Sequence, residues 1–191
     1  RTQKQQDAYK IETADPNARV QIGVVYQDKN VTIYRNGALY ASYEIGERQT
    51  FPADSVVMFG KRHLEMQGEG FYQGKIFDAR IYDRALTPAE LAALKPGEPS
   101  DIAPWAWWSF AEGSLQEKTG HYGEVKLIGD VSLSGGALVL GNNKATAIAY
   151  PSGAIVIDSG DLPADWPVPA SVITSTRAFR NRLLADPYRP A

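Results

Sequence analysis

The chain has no cysteine, only two histidines, and no apolar run that approaches a membrane span. Without cysteine there is no disulfide scaffold, no thiolate metal site and no cysteine nucleophile. His63 and His121 sit in neither an HExxH pattern nor beside a GxSxG nucleophile motif, and both read as loop residues. A spanning helix needs about 20 consecutive apolar residues, and no charged start followed by an apolar segment marks a signal peptide. An excess of one charge is missing too. The 20 basic and 22 acidic residues are well mixed and leave a net charge of -2. No basic stripe draws phosphates, so neither nucleic acid nor an anionic membrane is an expected partner. The chain opens at Arg1 and reads as a processed or trimmed product. An exported bacterial protein, periplasmic or extracellular, is the expectation.

What is present is core material and punctuation. An apolar content of 43% over 191 residues can fill one sizeable core. Residues 1–16 are polar and read as an N-terminal arm. From Val20 the pattern alternates, with Val20, Ile22 and Val24 on one face, and KNVTIYRNGALYASYEI follows a turn at Asp28, Lys29 and Asn30. Asn36-Gly37 predicts a hairpin, because both central positions of a type I′ turn need positive φ. SVVMFGKR predicts a further strand that bends at Gly60. Phe71 to Tyr82 predicts another, with Phe77, Ala79 and Ile81 facing the core and Asp78, Arg80 and Tyr82 facing outward.

Thr87-Pro88-Ala89-Glu90 is a capping box with proline at the first helical position, where its missing N–H costs nothing. It predicts a short helix over 88–94, stopped by Pro96-Gly97 and packed through Leu86, Leu91 and Leu94. Residues 96–104 read as a linker between halves 17–95 and 105–157. The second half begins with WAWWSF, in which Trp105 and Trp107 point one way and Trp108 and Phe110 the other. EVKLIG, VSLSGG, ALVLG and KATAIAYP continue it as strands. Residues 158–191 read as a proline-rich linker, where Trp166 packs the tail on its neighbour, and a helix with Phe179, Leu183 and Leu184 on one stripe. Many short strands with frequent turns and one small helix give an all-β fold, an antiparallel jelly-roll sandwich.

VQIGVVYQDKNVTIYRNGALYASYEIG resembles the middle of a laminin G-like, concanavalin A-like jelly roll, and GKIFDARIYDRALTPAELAAL resembles its closing strand and helix. WAWWSFAEGSLQEKTGHYGEVKLIG is similar to the opening of the same fold. The resemblance covers roughly residues 17 to 150, with the closing half first. Two arrangements remain open: a circularly permuted single sandwich over 17–157, or the tail of one copy followed by the head of the next. The first is preferred, because either half alone exposes unpaired edges and half a core, and it places WAWWSF beside RIYDRAL. The tail RNRLLADPYRPA resembles the segment before the catalytic propeller of glycoside hydrolase family 32, the β-fructosidases. The family's later YHF and NDPNG motifs do not occur in these residues.

That resemblance implies a noncatalytic, lectin-like accessory module of a glycosidase that hydrolyses O-glycosyl bonds. Its partners would be carbohydrate, fructan or another polysaccharide, or the glycosidase domain on which it docks. The alternatives are a structural sandwich without glycan affinity and a fragment of a fructan- or sucrose-cleaving enzyme. No catalytic residue is expected within the chain. Glycosidases hold two carboxylates about 5 to 10 Å apart across a sugar, and Glu65 and Glu69 read as loop residues instead. Sugar sites combine aromatic faces with a few planar polar groups. Tyr72, Asp78, Arg80, Tyr82 and Trp107 are the candidate carbohydrate-binding residues, set against a cross-strand salt bridge on a solvated face for Asp78 and Arg80 and a core role for the tryptophans. No cofactor is expected. Calcium occurs in many laminin G-like domains, but no dense Asp/Asn cluster marks its ligands here.

Overall fold

A computed structural model describes residues 13–15, 17–48, 50–51, 55–61, 71–141 and 145–153. His63, Glu65, Glu69, Trp166 and the tail helix lie outside the described residues, as does most of the N-terminal arm.

Strands β1 (Ile22–Gln27), β2 (Asn30–Arg35) and β3 (Ala38–Glu44) form an antiparallel meander. Its second turn is the expected one: Asn36 has φ 50° and Gly37 φ 75°, the left-handed pair that sets the register of β2 on β3. The first turn uses Asp28 at φ 52°, which a short polar side chain tolerates.

The remaining strands are β4 (Val57–Phe59), β5 (Gly74–Ile76), β6 (Asp78–Ile81), β7 (Ala106–Ser109), β8 (Lys126–Ile128), β9 (Val131–Ser134), β10 (Ala137–Leu140) and β11 (Thr146–Ala149). They make three antiparallel sheets, β5-β10-β9, β4-β11-β8 and the ribbon β6-β7. Each of these sheets joins a strand from before the 96–104 connection to strands from after it. The expected neighbours are paired, with Asp78 opposite Ser109 and Arg80 opposite Trp107.

The sheets converge on one core. Trp108 and Phe110 pack edge-on against Phe59, at 5.6 and 5.8 Å between ring centroids. Ala106, Tyr122, Val125, Leu138, Ala147 and Ala149 complete the cluster. Small residues on β11 let the aromatic rings approach, the alternation of large and small that dense packing requires.

One expectation is corrected here. Residues 71–82 do not form a single strand, because the chain changes partner at Phe77: β5 pairs with β10 and β6 pairs with β7. Phe77 sits at the break, where its carbonyl accepts the Phe110 N–H at 3.1 Å. Ala79 and Ile81 pack on the core as expected, whereas the Phe77 ring lies under the Arg19 guanidinium at 4.0 Å.

Helix α1 (Pro88–Ala93) starts as the capping box dictates. The Thr87 hydroxyl accepts the Glu90 N–H at 3.2 Å, and a Glu90 carboxylate oxygen accepts the Thr87 N–H at 2.7 Å. Leu91 is buried beside Gly23 of β1, where a Cβ would stand 3.1 Å from the leucine side chain. Gln21 ties β1 to the same helix by donating to the Leu91 carbonyl at 2.7 Å. The helix is the clasp between the meander and the rest. Among the described residues no helix is long and apolar enough to cross a membrane.

Candidate functional site

The ribbon β6–β7 has one face on the core and one turned outward. Pairing puts Asp78, Ser109, Arg80 and Trp107 on the outward face. There the carboxylate of Asp78 is the hub. It accepts the Arg80 Nε–H at 2.8 Å, the Trp107 indole N–H at 2.8 Å and the Gly97 backbone N–H at 2.8 Å. Arg80 then reaches across the chain, donating to the carbonyls of Lys95 at 2.8 Å and Glu98 at 2.6 Å. The loop 95–98 is therefore fastened over the middle of the ribbon. Side chains that alternation alone would leave in solvent are covered, with Arg80 only 5% and Asp78 only 12% exposed.

Trp107 is held from several directions. Arg80 lies 4.7 Å and Lys118 4.5 Å from its ring centroid, and its N–H is spent on Asp78. The structure thus brings together three of the five sequence candidates, Asp78, Arg80 and Trp107, in one network, with Arg80 Nη1 buried and without a hydrogen-bond partner. Asp78 and Arg80 do pair, but within one strand and beneath the 95–98 loop rather than across strands on a solvated face. The Tyr82 hydroxyl is buried without a hydrogen-bond partner. Tyr72 is exposed ahead of β5, with its hydroxyl against Gly74.

At the Ile81 end of the same ribbon lies an aromatic group outside that candidate set. Trp105 is 37% exposed, its backbone N–H donating to the Ile81 carbonyl at 2.8 Å. The indole stacks on the exposed His121 ring at 4.4 Å and meets Tyr122 edge-on at 5.7 Å. Of the three tryptophans of β7 and its approach, Trp108 alone is fully enclosed, at 1% exposed.

The loop carrying His121 is organised by Glu117, the one buried acidic residue among those described, at 7% exposed. One carboxylate oxygen accepts the backbone N–H groups of Trp107 at 2.8 Å and Thr119 at 2.7 Å. The other accepts those of His121 at 2.8 Å and Tyr122 at 3.3 Å. Burial pushes this carboxyl up, but the donors from Trp107, Thr119 and Tyr122 outweigh it and hold it below the usual carboxylate range. The Thr119 hydroxyl lies 2.6 Å from the Trp105 carbonyl and 2.9 Å from His121 Nδ1, closing the loop onto the tryptophan. A buried carboxylate is the usual first suspect for acid–base work. Here both oxygens are consumed by backbone, so Glu117 shapes a surface. Among the described residues no group of three or more His, Asp or Glu is placed to hold a metal ion.

The geometry is that of an antiparallel sandwich with an aromatic rim. Residues 2–92 match the family model of the concanavalin A-like lectin/glucanases superfamily. The matched span is just under half of the chain, begins within the stretch read as an arm and ends in α1. No curated protein and no solved structure matches the chain. The concanavalin A-like fold thus stands on the family match and on the all-antiparallel strand arrangement together.

Sequence reasoning passed over Trp105, His121 and Glu117 as a unit. The local signal was an acidic residue two positions before Thr119 in a Gly-containing turn. Its main anchor, the Trp107 N–H, is ten residues away and belongs to another element.

Proposed function

We propose that this protein is a noncatalytic, lectin-like module that binds carbohydrate. The observation that carries the reading is Trp105, a partly exposed indole stacked on the exposed imidazole of His121, whose loop is held by the Glu117 carboxylate. Aromatic surface of this kind offers its face and edge to sugar C–H groups. The concanavalin A-like match supports the same ligand class. Asp78, Arg80 and Trp107 act here as the frame behind the rim, and Tyr82 joins them on sequence parity. Tyr72 remains a separate exposed aromatic.

The interleaving of strands across the 96–104 connection supports one permuted sandwich over two partial copies. Association with a family 32-like glycosidase rests on the tail RNRLLADPYRPA alone, and a coding sequence that continues into YHF and NDPNG motifs would support it. The second reading, a docking or stabilising module, is favoured by the exposed apolar residues Ile22, Val24 and Phe51. Calorimetry with inulin, levan and a panel of other soluble polysaccharides separates the two. The expected outcome is measurable affinity for at least one glycan, reduced about tenfold by Trp105→Ala with the fold retained, a loss of about 1.4 kcal/mol. Absence of binding to every glycan tested would sink the lectin reading and leave the structural one.

A further inference from the structure

The ribbon β6–β7 is four residue pairs long, about 13 Å at the usual strand rise. Trp105 marks one end. At the other end, beside Phe77, the surface holds a small cleft lined by Arg19, Phe77, Pro96, Gly97, Ala111, Gly135 and Gly136. Its free volume is about 100 Å³; a single water centre takes roughly 10–15 Å³, so the space accepts several waters or one ring-sized group.

The cleft exists because its walls lack side chains. Gly97, Gly135 and Gly136 all have positive φ, at 76°, 58° and 72°. A Cβ on Gly97 would stand 3.4 Å from the Ala111 methyl, and one on Gly136 would stand 3.5 Å from the Ala111 Cα. The floor is bare backbone with small apolar groups, Pro96 and Ala111, suited to the C–H side of a ring. Behind Gly97 lies the Ser109 hydroxyl, buried without a hydrogen-bond partner, 3.6 Å from that same Cβ position.

The charge at the mouth is cationic. Arg19 is exposed, its guanidinium carbon lies over the Phe77 ring at 4.0 Å from the centroid, and no carboxylate among the described residues pairs with it. The cation–π contact holds the guanidinium at the mouth of the cleft, and its N–H fork suits bidentate recognition of a planar carboxylate. The nearest acid on the ribbon, Asp78, is already neutralised by Arg80. Resting on the carbohydrate reading above, the geometry points to a subsite for a carboxylate-bearing sugar residue, with Arg19 holding the carboxylate and the Pro96–Gly97 and Gly135–Gly136 backbones enclosing the ring. The protein would then select acidic polysaccharide over neutral glycan.

The probe is tetragalacturonate against its fully methyl-esterified form, which keeps the rings and removes the charge, titrated calorimetrically at low salt. The acid is expected to bind roughly tenfold tighter than the ester, the size of one charge-assisted contact. Arg19→Gln abolishes that difference without changing affinity for the ester, and Arg19→Lys retains part of it. Trp105→Ala weakens both forms alike. Equal binding of acid and ester, or a preference that survives Arg19→Gln, overturns the subsite and leaves the lectin reading intact. So does binding of neutral inulin with neither galacturonate form bound. Failure of every glycan overturns both.

Discussion

The β1–β2–β3 meander and the sheets around Trp108 draw on the same stock of Val, Ile, Leu and aromatic residues, yet they bury it differently. In the sheets, Trp108, Phe110, Leu138 and Ala147 are shut off from solvent. In the meander, Val31 and Ala41 are buried, while Ile22 at 58% and Val24 on the edge strand face outward, close to the Tyr26–Phe51 pair with Phe51 at 70%. The difference is connectivity. Each sheet around Trp108 is stitched from both halves of the chain, so its strands are covered by distant elements. The meander is wholly local, paired turn by turn, and joined to the rest through Leu91, Gln21 and the clasp helix. Local pairing makes a hairpin, but only long-range pairing fills a core.

Substitutions can break this contrast. Trp108→Ala removes a ring enclosed by Phe59 and Tyr122 and is expected to cost about 4 kcal/mol in urea unfolding, in the range for large aromatic deletions. Asp78→Ala comes next, at about 3 kcal/mol, because it strands the buried Arg80 and frees the Gly97 and Trp107 donors. Hydrogen exchange should show the loop 95–98 opening in that variant while β10 and β11 stay protected. Thr87→Ala removes the helix cap and is expected to cost about 1 kcal/mol, with increased exchange confined to α1 and β1. Val24→Ser, exposed on the edge of the meander, should shift the urea midpoint by no more than about 0.5 kcal/mol. A cost near that of Trp108→Ala would mean the meander is as deeply integrated as the sheets.

Acid sharpens the same comparison from the side of charge. Glu117 is held below its ordinary value in the folded state. Its contribution is therefore complete above the unfolded carboxylate value of about 4.3 and is lost as pH falls through the lower folded value. Glu90 is lowered from 4.5 to about 2 by Arg84 and Thr87, so the helix cap fades across that window. Glu117→Gln should flatten the stability profile below about pH 4 relative to the parent, measured by thermal unfolding at stepped pH. An unchanged slope would show that the loop does not depend on the carboxylate charge.

These particulars show what was legible in the sequence. The Asn36-Gly37 turn and the Thr87–Glu90 capping box were readable because every atom involved lies within a few residues. The partner change at Phe77 was not, since FYQGKIFDARIY alternates without interruption and nothing local marks where β10 gives way to β7. The outward face of β6 was legible as a face but not in its role. Alternation says that Asp78 and Arg80 point away from the core, and only the carbonyls of Lys95 and Glu98 turn that exterior into an interior. The tryptophans divided for the same reason, with one parity enclosed and the other split between the held Trp107 and the rim indole of Trp105.

By itself, then, the sequence determined an all-β chain of short strands with one capped helix, since turn chemistry, alternation and capping act over a few residues. The tertiary structure decided which polar residues are buried, which aromatic reaches solvent, and where a glycine-walled cleft opens beside Arg19. Those outcomes depend on pairings between residues 25 to 66 positions apart along the chain, in β6 with β7 and β5 with β10. Burial is a property of the neighbours a residue acquires, and a strand's own pattern does not name them.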